Sequence, residues 1–548
     1  MVGSITKRFG VVTVAALLAA GFLAGCSSGS TGGATPTSVP TPAHVGVYTY
    51  HNDNARTGQY LQESVLTPAN VNSTHFGKLA SFAVDGYIYA QPLYMTNVNI
   101  GGQLRNVVFV ATEHDSVYAF DADGASGAAP LWHTSFINPA AGVTTVSSND
   151  VSCSDLVPEI GITSTPVIDP ASGTLFVVAK TKENGSYFFR VHALDITTGA
   201  ETISPQVIAP TFPGTAAPSD GNGHVAFDAF VEHQRSALLL DNGVLYVGFA
   251  SHCDNGDYHG WLVAYNASTL SLKGAFNSTP DGTMGGIWQS GGGPAADVSG
   301  NVFTITGNGT FDADTGGRNF GDSFLKLAGG SLTLSDYFTP YDQAYLEAVD
   351  LDLGSAPPLL LPDQAKGPPH LLVSAGKEGT VYLVNRDNMG HFQAGSDSQI
   401  VQSLPFAISG DGLFGAPAYY ANKVYFAGAV DTLKAFDIVD GLFSSSTPSA
   451  QSSTTYGFPG ATPVISANGT DSSSAIVWAL QTDQNATNGP AVLHAYDALN
   501  VAKELYDSEE DPSRDEPGPA VKFTVPTVAN GKVYVGTQTQ LSVYGLLP

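Results

Sequence analysis

Three kinds of side chain in this sequence could do chemistry: cysteines, histidines and closely spaced carboxylates. The cysteines are Cys26, Cys153 and Cys253. In an oxidising compartment the last two can pair, and the sequence leaves both a disulfide and two buried thiols open. No Cys-x-x-Cys-His run offers a haem attachment point. His114, His224, His233, His252 and His259 lack metal-ligand spacing and read as loop or core histidines. Asp121-Ala122-Asp123-Gly124 and Asp312-Ala313-Asp314-Thr315-Gly316 resemble calcium loops without the full ligand series, and hairpin turns explain them. Asp350-Leu351-Asp352 places two carboxylates two residues apart; by residue type alone it is a solvated acidic loop. By the same measure Trp288 would pack in a core, Asn308 would make a turn, and Lys377 would sit in a surface hairpin.

Positioning such residues is the task of a repeat that runs through most of the chain. A small residue and Pro open a short apolar strand; a turn, a strand like VYVG, another turn and a strand like VYAFD follow. The openings are Gln91-Pro92, Thr165-Pro166, Gly293-Pro294, Ala356-Pro357, Ala416-Pro417, Thr462-Pro463 and Val525-Pro526, with Ser236-Ala237-Leu238 as a unit lacking the Pro. Period-2 alternation of β-branched and aromatic residues makes each segment a strand. Asp-x-x-(Thr)-Gly endings supply the turns. A unit of this size is one four-stranded propeller blade. The sequence therefore predicts an all-β, eight-bladed β-propeller of antiparallel blades over residues 44–548. The last unit has only three visible strands, so the strand Gly77–Phe82 is expected to pair with Leu541–Leu546 and close the ring, since an open blade leaves unpaired edges. Residues just before each strand opening should ring the axis on one face. Turns after the second strands should reach that same face, which would also hold Cys153 and Cys253.

Composition agrees. With 61 Gly, 33 Pro and 13% charged residues, the chain is rich in turns and poor in helix formers. Its net charge of -27 repels phosphate backbones and argues against nucleic-acid partners. Residues 1–26 read as an export signal: Lys7 and Arg8, an apolar run from Gly10 to Phe22 too short for a secure span, then Leu23-Ala24-Gly25-Cys26, which resembles the bacterial lipobox. That resemblance implies lipidation of Cys26 and a membrane anchor in the cell envelope. Ser27 at the next position resembles the outer-membrane default of a Gram-negative host. Residues 27–43 form a Ser/Gly/Thr/Pro tether.

From Tyr50 onward the chain resembles the quinoprotein alcohol dehydrogenases, which use pyrroloquinoline quinone (PQQ) and calcium. Gly286-Ile287-Trp288 and the run ending Thr306-Gly307-Asn308-Gly309 are similar to the family's Trp and "GTGN" stretch. The resemblance implies Trp288 as the quinone platform and Asn308 as a calcium ligand. Phe338-Thr339-Pro340-Tyr341-Asp342 to Asp350-Leu351-Asp352 resembles "TPHD…WDYD", which implies Asp350 as general base and calcium neighbour, with Asp352 as the close second. Gly376-Lys377-Glu378-Gly379-Thr380-Val381-Tyr382 resembles "K-x-G-x-x-Y", which implies Lys377 at the quinone oxygens.

The departures are specific. Cys153-Ser154-Asp155 stands where the family has a vicinal cysteine pair, Glu159 where it has Arg, Asn255 where it has a calcium-binding Glu, and Tyr89 where it has an acid. Two readings follow. One is a PQQ- and calcium-dependent oxidoreductase of alcohols or sugars, handing electrons to a separate acceptor and binding its quinone more weakly than the family does. The other is a non-catalytic propeller that binds a protein or glycan at the cell envelope.

Overall fold

Alternation of β-branched and aromatic residues turns each repeat into an antiparallel sheet. The computed structural model describes residues 44–548; the export segment, Cys26 and the tether lie outside the described residues. Among these there are eight sheets of four or five strands and two two-stranded ribbons. The third blade is representative, with strands Leu239–Asp241, Val244–Ser251, Trp261–Asn266 and Leu272–Asn277 in that spatial order. Its second strand is buried on both faces, because each blade is covered by a neighbour on either side.

The packing runs around the ring. One apolar cluster joins Val178 and Val191 of the second blade to Val247 and Trp261 of the third. Another joins Leu262 of the third to Val302 and Leu325 of the fourth. A third joins Tyr534 and Leu541 of the eighth to Val108 and Phe120 of the first. The eighth sheet takes its fourth strand from the N-terminal part: Phe76–Ala83 pairs antiparallel with Gln540–Leu546, Phe82 opposite Leu541 and Phe76 opposite Leu546. A register shift between Lys78 and Ala80 leaves Leu79 partly exposed.

Residues 45–60 do something the repeat pattern does not announce. They cross the ends of the inner strands and bond to blade after blade. The carbonyls of Val45 and Tyr48 accept from Thr96 and Ile168 of the first two blades. Asn54 Nδ2 donates to the Leu240 carbonyl of the third. The carbonyls of Asn54, Ala55, Thr57 and Gly58 accept from Ala296, Leu360, Tyr419 and Ile465 of the next four. Glu63 then accepts from the Gly531 amide of the eighth. At the centre Arg56, fully buried, donates to the carbonyls of Tyr50, Leu238 and Pro294 and to the Thr49 hydroxyl. The segment is a hub plug whose polar backbone is satisfied by the inner edges of the blades.

Candidate functional site

The turn that leads into the fourth blade holds Trp288 by a strained backbone. Gln289 and Ser290 are both left-handed (φ 48° and 49°), conformations that side chains other than glycine adopt at a cost. Gln289 Nε2 bonds Thr304 and Ser290 Oγ bonds the Ser355 carbonyl, which hold the turn. Gly307 sits beneath: a β-carbon there would lie 2.2 Å from Asp352 Oδ1 and 3.1 Å from Trp288 Nε1, so only glycine lets the two approach.

Four of the residues singled out by resemblance converge here, and a fifth lies at the rim. The Asn308 amide N–H donates to Asp352 Oδ1 at 2.7 Å, and its Nδ2 donates to Asp350 Oδ1 at 3.0 Å. Lys377 Nζ lies 2.6 Å from Asp352 and 2.9 Å from Asp350. Its ammonium also stands 5.6 Å from the centroid of the Trp288 ring. The Asp352 side chain is 14% exposed and lines the cavity, whereas Asp350 is 70% exposed. Burial raises the Asp352 pKa above its ordinary value, and the Lys377 charge opposes that shift. Burial pulls the Lys377 pKa down, but the two carboxylates outweigh it and raise the pKa above its ordinary value.

Asn255 does not join them. Its Nδ2 donates to the carbonyls of Val151 and Ser152, whereas the preceding Asp254 lines the cavity, held by the Tyr258 hydroxyl at 2.6 Å. Cys153 and Cys253 are joined in a disulfide with Cα atoms 5.7 Å apart, and Cys253 borders the cavity.

The cavity, about 300 Å³, has further walls that the motif comparison did not name. Arg235 lies 5.6 Å from the Trp288 centroid and 4.9 Å from that of Phe523, and donates to Asp155 at 2.8 Å. Lys522 is the second cation on Asp155. Against the effect of burial, these two cations hold the Asp155 carboxyl well below the usual range. Phe414 meets Trp288 edge-on at 6.1 Å and Phe458 at 5.1 Å. The signal for them was in the sequence. Arg235, Phe414, Phe458 and Phe523 each stand shortly before a strand opening, the position already given to Trp288 and Asp352.

These residues fit a planar polyanion such as PQQ: a flat indole floor, apolar rings beside it, and guanidinium and ammonium groups around it. They do not fit the calcium set that the resemblance implies. Asn308 Oδ1 is buried without a partner, as a ligand should be, but it is alone. Both carboxylates beside it are already bridged by Lys377, and Asn255 faces away.

No protein-family model and no curated protein sequence matches the chain. Among solved structures it is similar to the quinohemoprotein alcohol dehydrogenase of Comamonas testosteroni, at 14% identity and TM-score 0.60, over 91% of this chain and 80% of that one. The quinohemoprotein alcohol dehydrogenase ADHIIG of Pseudomonas putida HK5 gives 13% and 0.57 over 91% and 80%. A europium-containing methanol dehydrogenase gives 13% and 0.58 over 91% and 98%. The chain thus has the eight-bladed propeller fold of the PQQ-dependent alcohol dehydrogenases. At such identities the likeness concerns the fold.

Proposed function

We propose that the axial cavity binds pyrroloquinoline quinone and that the protein oxidises the hydroxyl group of a small alcohol or sugar. The observation that carries this is the Trp288 floor with Arg235 and Lys377 each 5.6 Å from its ring centroid and Asp352 bonded to Lys377. Trp288 would hold the planar ring system, and Arg235 one of its carboxylates. When bound, the quinone supplies the two-electron acceptor. Asp352, buried in the cavity wall, is the group that takes the hydroxyl proton, and Lys377 fixes its orientation. Asp350, at the exposed rim, is a positioning residue for Lys377. No step uses calcium, and electrons leave to a separate acceptor protein.

A second reading, a non-catalytic binding propeller, draws on one observation: both cations that line the cavity are already paired, Arg235 with Asp155 and Lys377 with Asp352. Calorimetric titration of the purified chain with PQQ separates the two. We expect saturable one-to-one binding and PQQ-dependent dye reduction with an alcohol or sugar panel. Absence of both overturns the quinone reading and leaves the binding scaffold.

The chain is further proposed to be an exported lipoprotein anchored through Cys26, on the strength of Leu23-Ala24-Gly25-Cys26 behind a basic and apolar segment. Labelled palmitate should enter the mature protein, and Cys26→Ser should move it from the detergent phase to the aqueous phase. Unchanged partitioning of that variant would refute the anchor.

A further inference from the structure

The outer edge of the seventh blade brings an imidazole and two carboxylates together, outside the axial cavity. Its third and fourth strands, Val492–Asp497 and Glu504–Asp507, pair antiparallel with His494 opposite Asp507. Residues directly opposite share a face of the sheet, so these two side chains stand on the same side. Glu504, three positions before Asp507, would point to the other face of a regular strand. A register shift between Ala495 and Tyr496 sets Glu504 opposite Tyr496 and returns it to the face of His494. One imidazole nitrogen and one oxygen from each acid thus lie within 4.8 Å of one another. No other trio of His, Cys, Asp or Glu among the described residues converges in this way.

The imidazole is held with one nitrogen toward the acids. Gln481 Nε2 donates to Asp483 at 2.7 Å, so its Oε1 faces the ring and accepts from His494 Nε2 at 3.1 Å. That bond places a proton on Nε2 and leaves Nδ1 to the acids, 2.6 Å from Glu504 Oε1. A ring nitrogen and a carboxylate oxygen so close must share a proton or a metal ion. Tyr456 meets the ring edge-on at 5.6 Å and Tyr496 stacks on it at 6.0 Å, which fixes its plane. His494 is 4% exposed, whereas the Glu504 side chain is 25% exposed, so the acids open to water and the ring does not. Asp507 Oδ1 accepts from the Glu509 amide at 2.9 Å. Lys503, on the turn between the two strands, is bonded to Asp497 instead.

The second blade supplies the contrast. His192 meets Glu201 at the same 2.6 Å, but the other Glu201 oxygen accepts from the Ala193 amide and no second carboxylate joins. An ion pair accounts for that contact. The seventh blade keeps the pair and adds Asp507 and the Gln481 clamp.

We propose that His494, Glu504 and Asp507 bind a divalent ion of the zinc class, which clips the two outer strands of the seventh blade together and takes water as its fourth ligand. One imidazole and two carboxylates make a mixed nitrogen and oxygen set, and three protein ligands leave one position open, as zinc accepts. A tetrahedral ion with ligands about 2.0 Å away holds them about 3.3 Å apart. That spacing falls between the 2.6 Å of the His494–Glu504 contact and the 4.8 Å that bounds the trio. Gln481 is the outer partner that orients the ring. Calcium takes six or more oxygens, which this edge does not supply. The site is independent of the quinone reading.

The test uses the purified chain without PQQ, stripped with EDTA, freed of chelator and titrated with zinc chloride by calorimetry. We expect one site per chain, saturated at micromolar zinc. Cobalt in place of zinc should give the visible absorption of a four-coordinate ion. His494→Ala and Asp507→Asn should each remove the binding heat and the cobalt band. Gln481→Met should weaken binding about 10–100-fold. Trp288→Ala and His192→Ala should bind as the parent does. So should His370→Ala, which removes the surface histidine beside Asp363 and Asp387. Absence of a saturable site, or binding unchanged in His494→Ala and Asp507→Asn, overturns the proposal and leaves a His494–Glu504 ion pair. Binding lost only in His370→Ala places the ion at the surface histidine and overturns it as well. Should His494→Ala fail to fold, Asp507→Asn, which keeps the bond to the Glu509 amide, decides.

Discussion

Deleting the chain through Ala83 is expected to abolish the cooperative fold. The truncation strips the last blade of the strand Phe76–Ala83 and exposes the full edge of Gln540–Leu546. It also removes residues 45–60, whose carbonyls and side chains satisfy the inner strands of successive blades. Phe82, fully buried against Phe120 of the first blade at 4.9 Å, goes with it. The junction between the eighth and first blades would lose both hydrogen bonds and apolar cover. Thermal melting of the truncated chain should show a broad, non-cooperative transition or none. A graded version is Arg56→Met, which keeps the volume and leaves the carbonyls of Tyr50, Leu238 and Pro294 unpaired. Its cost is about 3–5 kcal/mol, read as a shift of the denaturant midpoint. A truncated chain that melts like the parent would show that neither strand nor plug holds the ring.

The second large effect belongs to the cavity. Trp288→Ala removes the floor and should eliminate PQQ binding, with dye reduction lost in consequence. Asp352→Asn removes the proton acceptor but keeps the side-chain volume and the acceptor oxygen for the Asn308 amide. It should bind PQQ and lose about 10²–10⁴-fold in kcat. Lys377 should stay charged, because Asp350 remains at 2.9 Å. The pH profile discriminates further. Asp352 acts only when ionised, and its pKa is raised by burial. The parent's rate should therefore rise with pH through a value above that of an ordinary aspartate, and the residual rate of Asp352→Asn should not. Wild-type turnover in Asp352→Asn would remove that residue from the chemistry and return the role to Asp350.

Short motifs mark four residues in the sequence: Asn308 and Lys377 follow second strands, whereas Trp288 and Asp352 stand shortly before a strand opening. The same relation marks Arg235, Phe414, Phe458 and Phe523, yet no motif surrounds them, so residue type alone gave no reason to choose them. Asn255 shows the converse. It was chosen by register, but the strained turn through Cys253 and Asp254, both with positive φ, sends Asp254 to the cavity and Asn255 to the carbonyls of Val151 and Ser152.

The alternation of Val, Ile and aromatic residues, and the turns between, determined the strands, the eight blades and the pairing of the N-terminal strand with the last. These are local or repeating features, set by side-chain period and backbone turn chemistry. Which charges meet was decided only by the closed ring. The pairing of Cys153 with Cys253 and of Asp155 with Arg235 and Lys522 joins residues brought together by how blades sit side by side. So does the plug at residues 45–60, whose bonds reach partners up to 412 positions away, as His51 does at Pro463. Such contacts leave no periodic trace, because their energy depends on burial and on the partner's position, and neither is written in the order of residues.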